Sequence, residues 1–163
     1  MKFNAMKRTL ATFLFLLPIL MGVACDRNTP SPTNDNRNAI TENTEFMNDT
    51  LIIKIGVREF TATLLDNPTA TAFKAMLPLT IDMTELNGNE KYFDLSKSLP
   101  TNASNPRKIN TGDLLLYRSN TLVLFYKTFS TSYSYTKLGK IDNPSGLAEV
   151  LGRGNAVVTI ELK

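Results

Sequence analysis

No histidine and no tryptophan occur in this chain, and there is one cysteine, Cys25. Without histidine, Ser-His and Cys-His nucleophilic mechanisms lose their base, and histidine-based metal sites lose their ligands. A lone cysteine cannot close an internal disulfide. No P-loop is present, and Gly152-Arg153-Gly154 lacks the third glycine and the strand-then-helix context of a dinucleotide-binding turn. Long apolar runs are missing too. The longest, from Thr9 to Val23, is about 15 residues, short of the ~20 that a membrane-spanning helix needs, and Pro18 interrupts it.

That short run has a specific setting. Lys2, Lys7 and Arg8 precede it, and Gly22, Val23 and Ala24 lead directly to Cys25. A basic start, a short apolar middle and small residues at the end form an export signal. With the cysteine directly after, the segment resembles a bacterial lipoprotein signal. It departs from the usual form in one place, where Gly22 stands in for leucine. The expectation is that residues 1–24 are removed and that Cys25 becomes the acylated first residue. At ~0.8 kcal/mol per buried CH₂, two or more chains would anchor the protein stably. The predicted location is the bacterial cell envelope, periplasmic or surface-exposed, with the membrane as partner through Cys25.

Processing would also change the charge. The full chain has 18 Lys+Arg against 15 Asp+Glu, a net +3. Lys2, Lys7 and Arg8 leave with the signal and every acidic residue lies beyond it, so 15 bases face 15 acids. The basic precursor is therefore no warrant for nucleic-acid binding, and no nucleic-acid partner is expected. Next, DRNTPSPTNDNRNAITENTEFMND is rich in Asn, Thr, Asp and Pro. Residues 25–49 read as a disordered tether, with a span of roughly 25–30 Å as a flexible coil.

Residues 50–163 have the composition and length of one domain. Leu51, Ile53 and Ile55, then Phe60, Ala62 and Leu64, alternate with polar residues on either side of Gly56-Val57, which predicts a hairpin with one apolar face. Asn67-Pro68 starts a helix carrying Ala72, Phe73, Met76 and Leu77 on one stripe, stopped by Pro78. Strands are predicted at Leu79–Met83, Glu90–Leu95, Asp113–Arg118, Thr121–Lys127, Tyr135–Ile141 and Ala156–Leu162. Residues 97–111 read as a long loop. Asn143-Pro144 starts a second helix through Leu151, with Gly152 at its C-terminus. The fold class is mainly β: a closed barrel of about eight strands with two short helices, which removes exposed sheet edges.

The segments LLDNPTATAFKAMLPLTIDM, NGNEKY, GDLLLYRSNTLVLFYKTFSTSYSYTKLGKID and GNAVVTIEL, in that order, resemble the bacterial cyclophilin-like fold family over about residues 51–163. The resemblance implies an eight-stranded barrel capped by two helices, related in fold to the peptidyl-prolyl isomerases called cyclophilins. Members of that family occur alone, as lipoproteins or beside flavodoxin-type domains, and most have no established activity. A fold does not supply a function.

Prolyl isomerisation is the enzyme reading, because an arginine near the prolyl nitrogen in an apolar pocket needs no proton relay. The Phe-His-Arg run of true cyclophilins is absent, and only Arg107 and Arg118 stand in suitable places. Asp82 and Glu85, the nearest thing to a carboxylate pair, read as solvated face residues. No catalytic residue, metal ligand or cofactor is assigned. The binding reading rests on Tyr126–Thr136, where hydroxyls and phenols are dense, and on the Asn89-Glu90-Lys91-Tyr92 cluster; both residue classes donate and accept hydrogen bonds. Expected ligand-binding residues are Glu90, Lys91, Tyr92, Tyr117, Lys127, Thr128, Ser130 and Tyr133, facing a small molecule or peptide. Docking onto an envelope partner is the third reading.

Cys25→Ser is expected to release the protein from membranes. Cell fractionation checks this, and a variant that still sediments with membrane overturns the lipoprotein reading.

Overall fold

The computed structural model describes residues 49–163, so the export signal, Cys25 and residues 26–48 of the tether lie outside the described residues. The first alternating segment forms β1 (Thr50–Ile55) and β2 (Arg58–Leu64), paired antiparallel around the Gly56-Val57 turn. Leu51, Ile53, Ile55, Phe60, Ala62 and Leu64 are all buried, so the period of two reports one inward face.

Helix α1 (Pro68–Lys74) starts where Asn67 accepts a hydrogen bond from the Ala70 amide at 2.9 Å. It ends before Pro78, earlier than the sequence stripe predicts, and tight bonds from Met76 to Phe73 and from Leu77 to Lys74 carry the chain onward. Its buried face is Thr69, Ala70 and Phe73, with Ala72, Met76 and Leu77 only partly buried. Thr69 is tolerated inside because its hydroxyl donates to the Pro100 carbonyl at 2.7 Å.

Strands β3 (Leu79–Leu86) and β4 (Glu90–Asp94) follow as a hairpin. The long loop is not featureless. Ser104 bridges to Tyr135, and β5 (Lys108–Ile109) pairs with β8 (Phe129–Ser130) in a separate two-stranded sheet. Sequence patterning misses these pairings, which are too short to show a period. The hairpin β6 (Asp113–Tyr117) and β7 (Thr121–Phe125) and the strand β9 (Thr136–Ile141) lie where predicted. Helix α2 (Leu147–Leu151) starts later than Asn143, whose side chain instead accepts from the Ser145 amide in a turn. Strand β10 (Ala156–Leu162) ends the fold.

Eight strands close into one antiparallel barrel in the order β1-β10-β3-β4-β7-β6-β9-β2. The C-terminal strand inserts between β1 and β3, so closure needs the last element of the chain. Two apolar clusters result. The larger fills the barrel, with Phe73 of α1 and Leu147 and Leu151 of α2 packed into it. The smaller lies on the outer face of β6 and β7: Leu115, Val123 and Phe125, covered by Ile109 and Tyr135.

Closure is tightest where β9 meets β2. A Cβ on Gly139 would lie 2.5 Å from the Thr63 carbonyl oxygen and 3.1 Å from the Leu64 Cα, both backbone atoms. Gly139→Ala is therefore expected to destabilise the protein by about 1–3 kcal/mol, the range for forcing extra carbon into a packed site. Denaturant unfolding measures it; an unchanged midpoint would show that the seam relaxes freely.

Candidate functional site

The site begins at the β3–β4 turn. Asn87 and Gly88 both take left-handed backbone conformations, the pattern of a tight hairpin turn. This fixes the β4 register, with Glu85 opposite Lys91 and Leu86 opposite Glu90. Strand alternation then sends neighbours to opposite faces. Lys91 and Phe93 point into the barrel. Glu90 and Tyr92, paired with Phe125 and Val123, belong to the outer face.

Lys91 is fully buried. Taking an ammonium out of water costs several kcal/mol unless it is paired and its donors are used. Its three donors meet three acceptors: the Glu85 carboxylate and the carbonyls of Gly152 (3.1 Å) and Gly154. Glu85 also accepts from the Tyr126 hydroxyl at 2.7 Å and the Gly88 amide at 2.9 Å. Burial pushes the Glu85 carboxyl up, but its bonds from Lys91 and Tyr126 outweigh that and hold it below the usual range. Tyr126 is pushed up to about 12, by burial and then by its bond to Glu85. The sequence reading of Glu85 as a solvated residue is corrected: it shares the inward parity of Ile81 and Met83, whereas Asp82 is exposed.

On the outer face lies a cleft of about 530 Å³. Its floor is Glu90, Tyr92 and Val123; one wall is Phe129 to Tyr133 with Tyr135; Asn89 borders the hairpin end; and Tyr117, Arg118, Asp94 and Thr121 border the other. The rings form a continuous series. Tyr133 meets Tyr117 edge-on at 6.2 Å, Tyr117 meets Tyr135 at 5.7 Å, Tyr135 meets Phe125 edge-on at 5.6 Å, and Phe125 meets Phe129 at 5.7 Å.

Glu90 is 8 % exposed, and among the described residues its carboxyl makes no hydrogen bond or ion pair. Burial, and then the nearby charge of Glu85, push it up to about 7. Tyr135 is raised by burial and then by Glu90, against a hydrogen bond with Thr131. The Asn89 Oδ1 is likewise buried without a partner. Arg118 is exposed at the rim, its guanidinium 5.5 Å from the centre of the Tyr117 ring.

Of the residues expected to bind ligand, the structure brings Glu90, Tyr92, Tyr117, Ser130 and Tyr133 to this cleft. Three lie elsewhere. Lys91 faces the barrel interior. Lys127 is exposed, 5.9 Å from the centre of the Tyr126 ring. Thr128 accepts from the Thr111 amide at 3.1 Å. Asn89 and Tyr135, within the two segments read as binding, and Arg118, read for isomerisation, also line it, together with Asp94 and Thr121, which the sequence reading did not single out for binding. Asp94 was legible as the next residue on the Glu90–Tyr92 face. Thr121 was legible in the same way, on the Val123–Phe125 face of β7 opposite Asp94. Arg107, the other arginine considered for isomerisation, does not line the cleft. Among the described residues no group of three His, Cys, Asp or Glu side chains is placed to hold a metal ion.

The chain belongs to the Cyclophilin-like family, whose model matches residues 53–161. Among solved structures it is similar to a hypothetical protein from Archaeoglobus fulgidus, at 20 % identity with a TM-score of 0.49, covering 71 % of this chain and 95 % of that one. No curated protein matches the chain.

Glu90 makes stability depend on pH with a definite sign. Its folded-state value of about 7 lies above the ordinary 4.5, so the folded protein holds this proton more tightly than the unfolded chain. The resulting stability is fully present below about pH 4.5 and is lost as pH rises through about 7. Glu90→Gln is expected to leave stability unchanged near the low end and to raise it by on the order of 2 kcal/mol above the high end. Denaturant midpoints of both proteins across this range check it; a pH-independent difference would place Glu90 in a solvated setting.

Proposed function

We propose that this protein is a lipid-anchored binding module of the bacterial envelope. Cys25 fixes it to a membrane, residues 25–49 hold the domain clear of the lipid surface, and the cyclophilin-like barrel presents a ligand-binding cleft. The observation that carries the binding role is the outer-face cleft itself. Its volume of about 530 Å³ falls in the range of small-molecule sites, and it combines an aromatic wall with a few converging polar groups. At its floor the largely buried Glu90 carboxyl makes no hydrogen bond or ion pair among the described residues, which favours an occupant that uses it.

One observation keeps the isomerase reading as a second. Arg118, on the cleft rim, is a cation beside apolar rings where a prolyl peptide would lie. Electrostatic polarisation of an amide requires no histidine.

Both readings are tested on the full-length protein. Titration with a set of single-ring aromatic fragments, followed by amide chemical shifts, is expected to perturb Tyr92, Tyr117 and Tyr133 together. Tyr133→Ala and Tyr117→Ala should each weaken binding several-fold. Fragments that perturb no cleft residue would overturn the binding role. A proline-peptide isomerisation assay, with Arg118→Ala as control, is expected to show no rate above background; a rate that Arg118→Ala abolishes would put the isomerase first.

A further inference from the structure

One charged acceptor in the cleft lacks a donor. The Glu90 carboxyl has no hydrogen-bond or salt-bridge partner among the described residues. The carboxylate keeps a little solvent access at the cleft, where an incoming donor can reach it, while the rest of the side chain is buried. The nearest lysine cannot serve. Lys91 is adjacent in sequence, but it points into the barrel with all three donors engaged. Arg118 lines the same cleft, yet it sits at the rim over Tyr117 and forms no ion pair with Glu90.

What surrounds this acceptor narrows the class further. Tyr92, Tyr117, Tyr133, Tyr135 and Phe129 supply ring faces and edges, and ring faces attract cations through their quadrupoles. An occupant that matches the site brings hydrogen-bond donors, a positive charge and a flat or apolar body. Resting on the binding role proposed above, we propose that the cleft takes an organic ammonium ion, with the Glu90 carboxylate as counter-ion and the tyrosine rings as walls.

The other charges near Glu90 set the conditions. Glu85 and Lys91 neutralise each other on the inner side. Asp94, at the far end of β4, is held by the Thr121 hydroxyl at 2.6 Å. Tyr126 and Tyr135 both feel the Glu90 charge and stay neutral near pH 7. Glu90 is therefore the cleft group whose charge changes near neutrality. With its titration at about 7, the ionised fraction falls roughly ten-fold between about pH 8 and about pH 6.

The test is calorimetric titration of the full-length protein with three matched probes: 2-phenylethylamine, 2-phenylethanol and 3-phenylpropionate. The amine is expected to bind at least ten-fold more tightly than the alcohol at about pH 8, and to lose about ten-fold by about pH 6, while the alcohol is indifferent to pH. Glu90→Gln should bring the amine down to the affinity of the alcohol, with amide spectra confirming the fold; the pH arm needs no variant. An alcohol or carboxylate that binds as tightly as the amine, or an amine preference that survives Glu90→Gln, overturns the ammonium assignment and leaves the cleft as a binding site. Failure of all three probes to bind overturns the assignment and counts against the binding role as well.

Discussion

A closed antiparallel barrel gives each strand residue two destinations, the filled interior or the outer face, and strand alternation decides between them. In β4 this constraint separates two neighbours of opposite charge. Lys91 goes inside, where it must be neutralised, and Glu90 goes outside, where Lys91 cannot reach it. The Lys91 network then joins the β3–β4 hairpin to the Gly152–Gly154 turn after α2 and, through Glu85, to Tyr126 at the end of β7. One buried cation thus connects segments from three parts of the chain. Breaking such a buried pair leaves an uncompensated charge, a loss of ~3–5 kcal/mol.

The cleft depends on the same partition. A carboxyl paired with the lysine beside it would carry a depressed pKa and offer little to a ligand. Here the inner carboxylate, Glu85, takes that role, and its charge adds to burial in raising Glu90. The two acids lie on adjacent strands, close enough to interact but facing different partners.

The aromatic wall has a different origin. Tyr92 and Tyr117 come from barrel strands, whereas Phe129, Tyr133 and Tyr135 come from the segment that crosses over them before β9. The two-stranded β5–β8 sheet fixes that crossing, with Ile109 fully buried beneath it. Without that small sheet, the outer face of β6 and β7 would be an open apolar surface. With it, the surface becomes a concave site.

The sequence by itself determined the barrel strands, the start of the first helix and the presence of a polar-aromatic surface, because alternation, caps and turn residues act over a few neighbours. The reading of Cys25 as the end of an export signal likewise depends on local order alone. Only the tertiary structure decided which acid stays unpaired. Glu85, Glu90 and Lys91 stand together in sequence, and composition cannot tell which carboxyl the lysine takes. The choice rests on barrel closure, which turns Lys91 toward Glu85 and two distant carbonyls. Long-range pairing likewise decided that Tyr135 and Asn89 join the cleft while Lys127 and Thr128 do not, since their surroundings are set by chain segments far away in sequence.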